Sequence, residues 1–211
     1  MTDREINEKL TSDGAYVPLM EEFYTIQGEG FHTGRAAYFV RIGGCDVGCH
    51  WCDVKESWNA AVHPPTPVEV IAEHAARHSD TVVVTGGEPL TWNMGPLTRA
   101  LKERNMTIHL ETSGAYPVSG QWDWVCLSPK KTRPPLEEWY GLADELKVIV
   151  YNLHDLKWAE MHAGRVRDGC VLFLQPEWSR RKEVMPIIAD YVMAHPKWRI
   201  SLQSHKYIGI P

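Results

Sequence analysis

The stretch that decides the fold is Thr81-Val82-Val83-Val84-Thr85-Gly86-Gly87-Glu88-Pro89. Five residues rich in β-branched side chains, without polar alternation, read as a strand buried on both faces. The two glycines and the Glu-Pro pair end it abruptly at a loop. A helix is expected before it. Thr66 can cap the first free amides, Pro67 suits the first helical position and Glu69 completes a capping box, so the helix runs to about His78.

The same alternation continues outward. Strands are expected near residues 18–26, 37–42, 107–111, 124–127, 146–150, 171–175 and 199–203, with helices near 96–104, 136–142 and 182–194. Strand–helix alternation implies a parallel sheet with helices packed outside it. A full eightfold barrel typically needs about 250 residues, and this chain has 211. The expected fold is therefore α/β, a shortened or partial (β/α) barrel. Residues 1–15 read as a flexible polar tail and 16–211 as a single domain.

Polar residues and glycines fall at the carboxyl ends of these strands: Thr85 to Glu88, Glu111 to Gly114, Ser128 to Lys130, and Gln175 with Pro176. In α/β folds that rim is where ligands bind. Glu111 alternates with Ile108 and Leu110, which puts it on the opposite strand face, on the side of a site.

Composition narrows the function classes. Lys and Arg number 22 against 27 Asp and Glu, a formal charge of −5, with no basic block. That disfavours nucleic acid or an anionic membrane as partner. No apolar run reaches the ~18 residues of a spanning helix, and the start lacks the apolar stretch of a secretory signal. A cytoplasmic protein is expected.

Three of the five cysteines lie within eight residues, in Cys45-Asp46-Val47-Gly48-Cys49-His50-Trp51-Cys52. Without a secretory signal, such a cluster reads as metal or redox chemistry. An iron–sulfur cubane that only carries electrons takes four thiolates; three leave one iron open for a ligand. Zinc held by the same thiolates, in a hydrolase, is the alternative from another class. A pure electron carrier explains neither the open position nor the four rim motifs. Cys126 and Cys170 read as ordinary core residues. The nine tryptophans belong either to the core or to a subunit face.

The C-x3-C-x-aromatic-C spacing, with Trp51 as the aromatic, and Gly86-Gly87-Glu88-Pro89 resemble the two signatures of radical S-adenosylmethionine enzymes. The resemblance narrows to the 7-carboxy-7-deazaguanine synthase family. It is carried by Tyr24 to Gly30, Arg41, the cysteine loop, Thr85 to Pro89, Glu111 to Gly114, Ser128 to Lys130, Leu174 to Pro176 and Gln203 to Tyr207. These blocks span nearly the whole chain. A glycyl-radical activase, the nearest relative in kind, shares the first two motifs but not the Gln27-Gly28-Glu29 and His205 blocks.

The resemblance implies conversion of 6-carboxy-5,6,7,8-tetrahydropterin to 7-carboxy-7-deazaguanine with loss of ammonia, on the way to queuosine and related deazapurines. It implies a [4Fe-4S] cluster on Cys45, Cys49 and Cys52. S-adenosylmethionine would lie along Trp51, Cys52, Asp53, Gly87, Ser128, Pro129, Lys130, Gln175 and Pro176. The pterin would lie among Ile26, Gln27, Gly28, Glu29, Arg41, Thr85 and Pro211, with Glu111 and His205 as catalytic groups. An electron donor such as flavodoxin or ferredoxin, and a homodimer, are further implications. The family's magnesium ligand, a Thr directly after the Cys-Asp pair, is here Val54, which has no side-chain oxygen. Only water or backbone oxygen could serve there, so magnesium dependence is left open.

Overall fold

The computed structural model describes residues 13–211. Its strands are β1 (Tyr16–Ile26), β2 (Ala36–Ile42), β3 (Pro65–Pro67), β4 (Thr81–Gly86), β5 (Thr107–Thr112), β6 (Trp124–Leu127), β7 (Glu145–Val150), β8 (Val171–Pro176) and β9 (Trp198–Ile200). Its helices are α1 (Val68–Ala76), α2 (Gly95–Lys102), α3 (Glu138–Leu142), α4 (His154–Ala163), α5 (Arg181–Ala194) and α6 (Ser204–Ile208). All nine strands form one sheet in the order β3-β1-β2-β4-β5-β6-β7-β8-β9. From β2 to β9 every neighbouring pair is parallel; β1 runs antiparallel to both β2 and β3. The edges β3 and β9 do not meet, so the sheet is the expected partial barrel.

Strand periodicity sorts the side chains. Val40, Ile42, Val82, Val84, Ile108, Leu110, Leu127, Leu146, Val148, Leu172 and Leu174 join the apolar core. Over them lie Ile71, Ala72 and Ala75 of α1, Leu97 and Leu101 of α2, Leu156 and Ala159 of α4, and Val184 and Ile188 of α5. The alternate residues Arg41, Thr85, Glu111, Lys147, Ile149 and Gln175 line cavities on the concave face. Register sets some of them side by side: Arg41 pairs with Thr85, and Ile149 with Gln175. Trp139 and Trp198 are fully buried in the core, and the other seven tryptophans are half-buried.

Several local expectations are corrected. Thr66 does not cap α1; it pairs with Val17 in β3, and Pro67 is the cap residue with no side-chain bond. The Val68 amide instead donates to the Ala15 carbonyl at 3.1 Å, so a distant backbone group satisfies the helix end. Residues 13–15 belong to this packing and not to a tail, while the rest of the expected tail, residues 1–12, lies outside the described residues. The last strand stops at Ile200, and α6 and α4 are additional helices. Among the described residues no helix is long and apolar enough to cross a membrane.

Candidate active site

Two adjoining cavities occupy the concave face. The first, about 250 Å³, is lined by Cys45, Cys49, Trp51, Cys52, Asp53, Gly87, Ser128, Lys130 and Gln175, among others. The second, about 310 Å³, is lined by Ile26, Gln27, Gly28, Arg41, Val54, His205, Lys206 and Pro211, with the stacked rings of Phe23 and Phe39. Glu29, Asp53, Thr85, Glu111 and Gln203 belong to both and form their common wall. Pro176 lines a small recess beside the first cavity with Trp51 and Asp53. Pro129 is buried between Ser128 and Lys130 and lines neither cavity.

The cysteine loop leaves the end of β2 and is tied down along its length. Gly44 and Cys45 amides donate to the carbonyls of Ser57 and Trp58 at 2.6 and 3.1 Å. The Trp92 indole donates to the Gly43 carbonyl at 2.8 Å. Asp46 accepts from the Tyr116 hydroxyl and from Arg133, each at 2.5 Å, and these bonds hold its carboxyl below the ordinary range. A Cβ on Gly87 would lie 2.5 Å from the Gly44 carbonyl oxygen and 2.7 Å from the Cys45 Cβ. The glycine is therefore needed where β4 meets the loop, because any side chain would push Cys45 away.

Glu88, 1% exposed, locks the other side of this junction. Its Oε1 accepts from the Leu90 amide at 3.2 Å and the Thr112 hydroxyl at 2.7 Å. Its Oε2 accepts from the Ser113 amide at 2.8 Å and from the Ser113 hydroxyl. One carboxylate thus joins the end of β4 to the end of β5. The Thr85 to Pro89 motif is built for that junction as much as for a ligand.

The three loop thiols are free and half-buried on the wall of one cavity. Burial raises the Cys45 and Cys49 thiols above their usual range. Among the described residues no three His, Cys, Asp or Glu side chains converge on a single-ion position. Three thiols on the wall of one cavity, with no fourth cysteine lining it among the described residues, fit a cubane with one iron left open. Lys130 lines that cavity and donates to the Ser128 hydroxyl at 2.6 Å. Burial lowers its ammonium below the usual range. Position 54 offers magnesium no unengaged oxygen of its own. The Val54 carbonyl already accepts from the Ser57 amide at 3.2 Å and hydroxyl at 2.7 Å. Asp53 is paired with Lys206 and with Gln203.

On the second cavity's side, Gly28 makes room for His205: a Cβ there would lie 2.1 Å from the ring Nδ1. The Ser204 amide and hydroxyl both donate to the Gly28 carbonyl at 2.9 Å, fastening α6 to this turn. Burial lowers the His205 pKa, so the ring is neutral near pH 7. Thr25 donates to the Pro211 carbonyl at 3.4 Å. Arg41 Nε bonds Glu21 at 2.6 Å, which leaves its Nη donors for a ligand.

The residue the sequence reading missed lines the first cavity and is bonded to two acids of the common wall. Lys147 of β7 is 3% exposed and donates to Glu29 at 2.7 Å and Glu111 at 2.9 Å. Burial alone would push the Glu29 carboxyl up. Lys147, with bonds from Gln203 and Gln175, brings it down to about 2. The available signal was a lysine inside the apolar run Glu145-Leu146-Lys147-Val148-Ile149-Val150, two residues from another inward position.

A partial barrel with three thiols on its concave rim, next to a glycine junction, defines a radical S-adenosylmethionine enzyme, and the family model of the Radical SAM superfamily matches residues 39–151. A 7-carboxy-7-deazaguanine synthase from Flavobacterium psychrophilum is 65% identical over 198 residues, covering 94% of each chain. Within the superfamily the chain belongs to the 7-carboxy-7-deazaguanine synthase family. The Synechocystis protein of that name is 46% identical over 92% of this chain and 93% of its own. The crystal structure of QueE from Escherichia coli superposes with a TM-score of 0.80 at 30% identity, covering 94% of this chain and 99% of that one.

Proposed function

We infer that the protein converts 6-carboxy-5,6,7,8-tetrahydropterin to 7-carboxy-7-deazaguanine with release of ammonia, a carbon–nitrogen lyase step toward queuosine and related deazapurines. The observation that carries this reading is the common wall: a cysteine-lined cavity and a second cavity, lined by both aromatic and charged side chains, meet at Glu29, Thr85 and Glu111. The cluster and cofactor, when bound, would supply the one-electron chemistry that removes hydrogen from the substrate.

The chain's own residues bind, orient and exclude water. Cys45, Cys49 and Cys52 hold the cluster. Trp51, Cys52 and Asp53 would hold the cofactor's adenine, and Gly87, Ser128, Lys130, Gln175 and Pro176 its remainder. Pro129 shapes that loop from beneath. Ile26, Gln27, Gly28, Glu29, Thr85 and Pro211 enclose the pterin, and Arg41 meets its carboxylate. Glu111 and His205 face the pterin as its catalytic groups. The electron comes from a small carrier such as flavodoxin or ferredoxin. The enzyme acts as a homodimer in the cytoplasm, each chain one unit from residue 16 to 211. The family resemblance supports these assignments.

The test is anaerobic reconstitution with iron and sulfide, then incubation with a reductant, S-adenosylmethionine and the carboxypterin. The expected products, read by mass, are the carboxydeazaguanine and ammonia, with S-adenosylmethionine recovered. An unchanged carboxypterin would overturn the reading. Radical transfer to a partner protein would favour an activase.

A further inference from the structure

Lys147 sits in the middle of β7, and its ammonium lies between two carboxylates that reach the wall from chain segments 118 and 36 residues away. It takes Oε2 of each. Glu29 Oε1 also accepts from the Gln203 amide at 2.9 Å, and Glu111 Oε1 from the Gln27 amide at 3.4 Å. A carboxylate offers about four lone-pair directions, so each acid keeps acceptor capacity at the wall where the cavities meet. Both carboxylates are half-buried and bonded to the same ammonium, so without it their like charges would repel. A buried cation bonded to both removes that conflict.

We propose that Lys147 is a positioning residue that keeps Glu29 and Glu111 ionised together and fixes them in place, so that both acids accept hydrogen bonds from the N–H groups of the pterin's pyrimidine edge. This rests on the function proposed above and adds the residue that orients its substrate. The surroundings agree. Burial would strip the Lys147 proton, but Cys126, Glu111, Glu29 and Glu145 hold its pKa well above the ordinary value. Beneath it, burial pushes the carboxyl of Glu145 up and the thiol of Cys126 well up. The other charged and titratable groups lining the two cavities are Arg41, Asp53, Glu88, Lys130, His205, Lys206 and the three loop thiols.

The test compares the reconstituted wild-type enzyme with Lys147→Met and Lys147→Arg. Without the cation, the acids repel, and one takes up a proton in the working pH range. Lys147→Met is expected to raise the pterin KM at least 50-fold at pH 6.5, with at least fivefold recovery by pH 8.5. Its affinity for S-adenosylmethionine should stay within about threefold. Lys147→Arg, which keeps the charge, should hold the pterin KM within about fivefold of wild type. If Lys147→Met yields no folded protein, Lys147→Gln takes its place, since it retains a donor of shorter reach. An unchanged pterin KM overturns the proposal. So does a loss independent of pH, or one shared equally by Lys147→Arg. Wild-type failure to convert the pterin would instead tell against the proposed function itself.

Discussion

Replacing Glu88 by Gln probes the junction that places the cysteine loop. Each carboxylate oxygen accepts one hydroxyl and one backbone amide: Thr112 with Leu90, and Ser113 with its own amide. A glutamine can present its oxygen to one pair only. Whichever way the amide is turned, its NH2 faces a backbone N–H that cannot rotate away. An unsatisfied buried donor costs about 1–3 kcal/mol, and the bonds that survive lose their charge assistance. A total of about 3 kcal/mol lowers the melting temperature of a chain this size by roughly 6–12 °C. The hydroxyls of Thr112 and Ser113 also accept from the amides of Gly114 and Ala115, so the rim after β5 should loosen as well. The assay is thermal unfolding of the apoprotein followed by circular dichroism. A Glu88→Gln melting temperature within 2 °C of wild type would refute the reasoning.

Gly28→Ala should displace His205, because its Cβ would fall 2.1 Å from the imidazole Nδ1; the pterin KM is expected to rise tenfold or more, with S-adenosylmethionine binding unchanged by calorimetry. Glu29 has its carboxyl depressed from 4.5 to about 2. It therefore contributes stability that is present above pH 4.5 and lost as pH falls toward 2. In urea unfolding, wild type should lose stability more steeply than Glu29→Gln between pH 4.5 and 3. Because the donor set at Val54 is already taken, turnover should survive treatment with a magnesium chelator. Activity that vanishes and returns only with magnesium would reverse that conclusion.

The features legible in the sequence were those fixed by short-range pattern. The run Thr81 to Thr85 gave β4 because β-branched residues suit a strand covered on both sides. The alternation of Ile108, Leu110 and Glu111 correctly sent Glu111 to the cavity. The features that were missed depend on distant partners. Helix α4 buries Asp155 and His162 with Leu156 and Ala159, so its apolar stripe is interrupted by polar residues. Asp155 is buried because it accepts the amides of Tyr151 and Asn152, at 2.8 and 2.9 Å, and the Lys131 ammonium. The start of α1 was misread because Ala15, not Thr66, supplies the acceptor. Lys147 gains its role only when Glu29 and Glu111 arrive from elsewhere in the chain.

The central claim is that Cys45, Cys49 and Cys52 hold a cluster with a vacant iron facing the cofactor cavity. It is tested most directly by electron paramagnetic resonance of the reduced, anaerobically reconstituted protein. The account predicts about four irons per chain, a spectrum that changes when S-adenosylmethionine is added, and loss of both features when any of the three cysteines becomes alanine. A spectrum indifferent to S-adenosylmethionine, or a cluster that persists in all three alanine variants, would contradict it.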